Sequence, residues 1–258
     1  MKDMTQGNPV KEVLLFSVPM ILASVFQQMY NAVDSIIVGQ FVGANALAAV
    51  GAAFPAMFLA MSVLIGITMG VQIIISQLFG AGEHERMRAT FATSIISLMI
   101  LVVIASVIGY FASGTILELM NTPPEIIADS KAYLDEIFKG LIFMFLYNLY
   151  TSVLRGVGDS KTPLYFLIIS SILNIVLDLV YVIQFGMGVR GVAVATVQSQ
   201  AVSVILCIIY TNIRIPLFRL GLKDLRVDFG ILRTVLRFGI PTAIQQSISA
   251  IGSMVVEG

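Results

Sequence analysis

Long apolar runs separated by short polar segments make up most of this chain. Charged side chains are absent from residues 35–82, 89–117 and 191–213, and from shorter runs at 140–154, 162–177 and 238–256. A bilayer-spanning helix needs about 20 mostly apolar residues, so each run can hold one membrane helix. We therefore predict an all-α integral membrane protein with helices near 13–38, 51–79, 91–113, 134–156, 163–184, 190–211 and 236–256.

The composition supports a membrane environment. Of the 258 residues, 58% are hydrophobic and 12% are charged, whereas soluble domains contain roughly 45–50% apolar and 25% charged residues. The excess apolar surface needs lipid around it, so the lipid bilayer is the first predicted partner. The 15 basic residues balance the 15 acidic ones, and this zero net charge gives no indication of nucleic-acid binding.

The basic residues predict the orientation of the chain. Basic side chains concentrate in the cytoplasmic loops of membrane proteins. If the N-terminus is cytoplasmic, only three of the 15 basic residues, Lys131, Lys139 and Arg190, lie on the outer side. We therefore predict a multi-pass plasma-membrane protein with its N-terminus in the cytoplasm.

A basic segment divides the chain into two unequal units. The motif Phe-Ser-Val-Pro at 16–19 returns as Phe-Gly-Ile-Pro at 238–241, directly after this segment. Parallel repeats of this kind occur in several transporter folds. We expect a six-helix bundle at 1–211, a cytoplasmic basic linker at 212–235, and the first helix of a second bundle at 236–258. Because the sequence stops as this helix ends, we expect a truncated chain.

Two carboxylates lie inside predicted membrane helices, Asp34 in the first and Asp178 in the fifth. A charged side chain in the membrane costs about 2.5–3.5 kcal/mol to insert, and it normally faces a bundle interior or a water-filled cavity. At 1.5 Å per residue, Asp178 and Thr196 of the sixth helix lie at nearly the same depth. We expect Asp34, Asp178 and Thr196 to converge on one site. The polar residues that share a helix face with the two acids are Gln27, Asn31, Ser170 and Asn174.

Polar stripes on membrane helices also have a simpler interpretation. Serine, threonine and asparagine side chains often hydrogen-bond across helix interfaces and hold helices together. A neutral amide would provide the same contact without the insertion cost of a carboxylate, so we interpret the two aspartates as functional. The spacings Gly66-x-x-x-Gly70 and, at a helix end, Gly39-x-x-x-Gly43 permit close approach of helix backbones.

Several motifs resemble those of multidrug and toxic compound extrusion (MATE) transporters, in their prokaryotic branch. The most specific is Leu-Arg-Gly-Val-Gly-Asp-Ser-Lys-Thr-Pro. The residues that carry the resemblance are Pro19, 33–39, 77–83, 154–163 and 174–178. The resemblance covers the whole chain but only the first half of the family's usual length. It implies a bacterial or archaeal plasma-membrane protein with twelve helices in two bundles, which face each other across a central cavity.

The resemblance also implies a cation site in the first bundle. Asp34, Asn174, Asp178 and Thr196 would bind the cation, as metal ligands if the ion is Na⁺, or through the carboxylates if it is H⁺. The resemblance assigns Tyr133 and Asn148 to the supporting hydrogen-bond network. Gln27 and Asn31, which share a helix face with Asp34, are the other expected members. No cofactor is expected other than this coupling ion.

Four functions fit these features to different degrees. The resemblance implies a secondary antiporter that exports small organic cations in exchange for Na⁺ or H⁺. A flippase for lipid-linked sugars, from the same wider superfamily, would be expected to have a basic cavity, whereas these residues are acidic or neutral. An intramembrane enzyme is disfavoured, because the sequence has no nucleophile motif and a single histidine. Finally, a half-length chain without its C-terminal half would transport nothing by itself.

Overall fold

The computed structural model describes residues 9–221 and 226–257, with side chains at 13–221 and 226–248. Residues 1–8, 222–225 and Gly258, which belong to the predicted bundle, linker and seventh helix, lie outside the described residues. The described part contains seven α-helices and no strand. They are α1 (Pro9–Ile37), α2 (Ala44–Gly80), α3 (His84–Leu119), α4 (Pro124–Gly156), α5 (Lys161–Leu179), α6 (Gly188–Arg214) and α7 (Phe229–Glu257).

Helices α1 to α6 are long and apolar enough to cross a membrane. Two of them end in a single π-helical turn, Val38–Val42 after α1 and Val180–Gln184 after α5. The described helices therefore confirm the predicted fold class, a six-helix membrane bundle followed by a seventh helix.

The predicted helix ends were less accurate than the predicted helices. Helix α4 begins at Pro124, ten residues before the predicted start at 134, and α2 and α3 both begin seven residues early. In α3 and α4 the additional residues include charged side chains, which hydropathy counts against a membrane helix, whereas the additional residues 44–50 of α2 are uncharged. In α4 the extension starts with proline, which the first helical turn tolerates. Lys131 of this extension forms an ion pair with Asp135, whose atoms are 2.7 Å apart.

Helix α4 is the centre of the bundle, and α1 is its least buried member. In the most apolar window of each helix, 67% of the residues are buried in α4 and 6% in α1. Helix α4 packs against α2, α3 and α6, whereas α1 packs mainly against α5. Large apolar side chains of α1, such as Ile21 and Met29, are more than half exposed. Such a surface is typical of contact with lipid or with another apolar partner.

Helix α7 packs closely along α2 through small residues. A Cβ atom at Gly66 would overlap the backbone of Ala243, and one at Gly70 would lie 2.7 Å from the backbone nitrogen of Gly239. One turn further along, the hydroxyls of Ser62 and Ser247 are hydrogen-bonded at 2.7 Å. This contact is the close backbone approach that the Gly66-x-x-x-Gly70 spacing permits.

The close contact predicts opposite effects for two alanine substitutions in α2. Gly66→Ala should lower the thermal unfolding midpoint of the detergent-purified chain, because overpacking costs roughly 1–3 kcal/mol. Gly51→Ala is the matched control, since nothing lies within 4 Å of its Cβ position. It should leave the midpoint unchanged or raise it, because alanine favours a helix over glycine by about 1 kcal/mol. Equal effects of the two substitutions would contradict the close α2–α7 contact.

Candidate functional site

The two membrane aspartates occupy similar places on their helices. Asp34 lies four residues before the π turn that follows α1, and Asp178 lies two residues before the π turn that follows α5. In each turn a backbone amide bonds the carbonyl five residues back, Gly43 to Val38 at 3.0 Å and Phe185 to Val180 at 3.2 Å. Single π turns are rare and are frequent at functional sites.

The structure brings the two carboxyl groups together. Asp34 and Asp178 lie within hydrogen-bonding range of each other, and Asp178 is fully buried. An ionised carboxylate only accepts hydrogen bonds, so this contact requires a proton on one of the acids or a cation beside them. The Oδ1 atom of each aspartate is buried and has no hydrogen-bond partner within the described part of the chain. These two oxygens fit a bound cation.

Asn174 and Thr196 border the carboxylate pair. The Asn174 amide is assigned from its hydrogen bonds: Nδ2 donates to Asp178 Oδ2 at 2.9 Å, and Oδ1 accepts from the Thr196 backbone nitrogen at 3.1 Å. The Thr196 hydroxyl donates to the carbonyl of Val192 at 3.1 Å, which leaves its oxygen free to accept. Helices α5 and α6 are therefore joined directly beside the acids.

Two tyrosines complete the cluster. The buried Tyr133 of α4 lies close enough to interact electrostatically with both aspartates, and its hydroxyl is 3.9 Å from the Met57 sulfur of α2. Tyr30, one turn before Asp34, lies close enough to interact with both Asp34 and Thr196. Tyr30 was not among the predicted site residues, although its spacing of four residues from Asp34 was a usable signal.

The remaining predicted network residues lie elsewhere. Asn148 Nδ2 donates to the Met144 carbonyl of its own helix at 2.8 Å. Asn148 also lies 15 residues beyond Tyr133, which is about 22 Å along the helix axis. Gln27 and Asn31 hydrogen-bond to each other at 3.3 Å on the exposed side of α1. The structure does not bring Asn148 to the cluster, because residues on one helix face can lie at very different depths.

Comparisons with known proteins identify the family and the fold. The MatE family profile matches residues 19–180. The probable multidrug resistance protein YoeA of Bacillus subtilis is 36% identical over 95% of this chain and 55% of its own length. The probable multidrug resistance protein YpnP of Bacillus subtilis is 31% identical, over 98% of this chain and 57% of its own. A solved outward-facing multidrug resistance MATE family transporter of the MOP superfamily superposes with a TM-score of 0.89 at 27% identity. That match covers 96% of this chain and 55% of the solved one.

A multi-pass helical bundle with a polar cluster inside its membrane-spanning part is typical of membrane transporters. The chain belongs to the MatE family of transporters, as the sequence motifs predicted. It spans about half the length of the curated relatives it matches.

The hydrogen bonds of the cluster predict which asparagine matters for stability. Asn174→Leu removes the donor to the buried Asp178 Oδ2 atom, and an unsatisfied buried acceptor costs about 1–3 kcal/mol. We expect a lower thermal unfolding midpoint for the purified chain. Asn148→Leu is the matched control and should be nearly neutral, because its amide bonds only a carbonyl of its own helix. Equal destabilisation by both changes would contradict this assignment.

Proposed function

We propose that the full-length transporter exports organic cations in exchange for Na⁺ or H⁺, and that the first bundle binds the coupling ion. The observation that carries the proposal is the pairing of Asp34 with Asp178, which have one buried and unpartnered oxygen each. Thr196 adds a neutral hydroxyl oxygen beside the pair, and Asn174 would add its amide oxygen when a bound cation replaces the Asn174–Asp178 hydrogen bond and the amide reverses. Carboxylate, amide and hydroxyl oxygens are hard ligands for an alkali cation, and the two acids can share a proton.

Coupling follows from the charge of this cluster. A bound Na⁺ or H⁺ neutralises part of the negative charge that a cationic substrate meets in the cavity. Because a ligand shifts a conformational equilibrium only through its differential affinity, the ion and the substrate would favour different conformations. Ion entry from outside would then drive release of the substrate to the outside. In this proposal the N-terminus of the chain is cytoplasmic.

The proposal assigns transport to the full-length protein rather than to this half-length chain. The large exposed apolar side chains of α1 would face a second bundle across a central cavity. This chain reconstituted alone into liposomes should therefore not transport a fluorescent organic cation. Coexpression with a second half from a full-length relative should restore transport.

Removal of either acid should abolish export. In a full-length transporter that contains this bundle, Asp34→Asn and Asp178→Asn should each remove resistance to cationic drugs without loss of protein from the membrane. Growth at increasing drug concentration measures resistance, and immunoblotting of membranes measures expression. Asp129→Asn is the matched control, since its side chain is exposed near the start of α4, and it should retain resistance. Full resistance in both site variants would refute the assignment.

The identity of the coupling ion can be tested on the purified chain itself. A ligand that binds only the folded state raises its stability by RT ln(1 + [L]/Kd), which is about 2.7 kcal/mol at 100 times Kd. If the cluster binds Na⁺, sodium chloride should raise the thermal unfolding midpoint more than choline chloride at equal ionic strength. If it binds H⁺, acidification should raise the midpoint instead. Either response should be absent from Asp178→Asn, and a midpoint insensitive to both ions would exclude a coupling-ion site here.

A further inference from the structure

Arg155 is a partly buried cation that forms no ion pair with the part of the chain that the structure describes. It lies in the last turn of α4, within the Leu-Arg-Gly-Val-Gly-Asp motif. Its Nε atom is buried and unpartnered, and its guanidinium forms no ion pair or hydrogen bond with any described residue. An arginine guanidinium has five N–H donors and is always charged. A half-buried charge without a partner is costly, so this position favours binding of an anion.

A cavity of about 360 Å³ opens beside this guanidinium. Helices α1, α2 and α4 form the walls of the cavity. Its larger lining side chains are Phe16, Gln72, Ser76, Phe79 and Arg155. Among the described residues that line it, Arg155 is the one charged side chain. The Gln72 amide can add a donor beside the arginine. By contrast, the two cavities at the start of α7 contain both Glu85 and Asp228, so acids there already balance the arginines.

The nearest acid in the motif is committed to other groups. Asp159 Oδ1 accepts from the backbone nitrogens of Lys161 and Thr162, at 3.2 and 3.0 Å. Its Oδ2 accepts from the Thr162 hydroxyl at 2.6 Å and from the Tyr210 hydroxyl at 3.1 Å. Asp159 therefore starts α5 and ties it to α6, and it does not neutralise Arg155.

The position of the cavity indicates the kind of anion. Phe16 lies near the start of α1, and Phe79 is the residue before the end of α2, so the cavity lies where membrane helices leave the hydrocarbon. Phospholipid phosphates occupy this depth, and basic pockets between membrane helices bind anionic headgroups there. Arginine binds phosphate through two parallel hydrogen bonds. Phe16 and Phe79 line the cavity and give an acyl chain an apolar surface to pack against.

We infer that the cavity between α1, α2 and α4 binds the phosphate of an anionic phospholipid, with Arg155 as its main ligand and Gln72 as a second donor. A zwitterionic choline lipid fits less well, because the described part of the lining contains no acid to pair with its ammonium group. This inference rests on the membrane location of the chain and is independent of the proposed export activity.

The test measures thermal unfolding of the purified chain in mixed micelles. Phosphatidylglycerol should raise the unfolding midpoint by at least about 3 °C more than phosphatidylcholine does. Arg155→Gln should remove this difference. Arg86→Gln is the matched control, because that side chain is 69% exposed and paired with Glu83 at 2.6 Å, and it should keep the difference.

Two further variants and one further ligand complete the unfolding test. Arg155→Lys retains the charge but not the paired hydrogen bonds, so it should show a smaller difference between the lipids. If Arg155→Gln does not fold, Gln72→Leu replaces it and should likewise reduce the difference. Inorganic phosphate at millimolar concentration should have no effect. Any of three results would overturn the inference. They are an equal shift with inorganic phosphate, an undiminished lipid difference in Arg155→Gln or Gln72→Leu, and the same midpoint in both lipids for the unaltered chain.

Discussion

The structure depends on the accommodation of two carboxyl groups inside a bundle that lipid surrounds. Hydrocarbon cannot solvate an ionised acid, so the protein must supply the compensating groups. Four different helices build the cluster. Helices α1 and α5 carry the acids, and α4 and α6 contribute Tyr133 and Thr196. The central position of α4 follows from this requirement, because a polar cluster at membrane depth is sheltered only when helices enclose it from several sides.

Much of the fold could be predicted from the sequence, for a simple physical reason. A charge-free run of about 20 residues has few stable alternatives to a membrane helix, so every predicted helix exists. Helix ends depend instead on local interactions outside the bilayer, such as the ion pair of Lys131 with Asp135 in α4. Hydropathy does not detect those interactions, and the predicted starts of α3 and α4 were wrong by several residues.

The residues of the candidate site were also predicted only in part. Asp34 and Asp178 were identifiable because acids are rare in membrane helices, and Asn174 followed from a spacing of four residues. Tyr30 was missed because tyrosine is common in membrane proteins and its spacing from Asp34 was not considered. Asn148 was placed near Tyr133 through family resemblance, whereas the helical rise separates the two residues along α4. Composition and spacing identify a helix face, but depth along the helix must be calculated separately.

The π turns after α1 and α5 have a consequence for how these two helices are interpreted. Each turn holds about one residue more than an α-helical turn, which rotates everything beyond it by roughly 100° relative to a regular helix. A helical wheel drawn through residues 9–42 as one regular helix therefore assigns the last residues to the wrong side. Phe41 is 52% exposed although it lies four residues after the buried Ile37. Probes or cross-links placed at the end of α1 that carries the π turn need positions chosen from the three-dimensional structure.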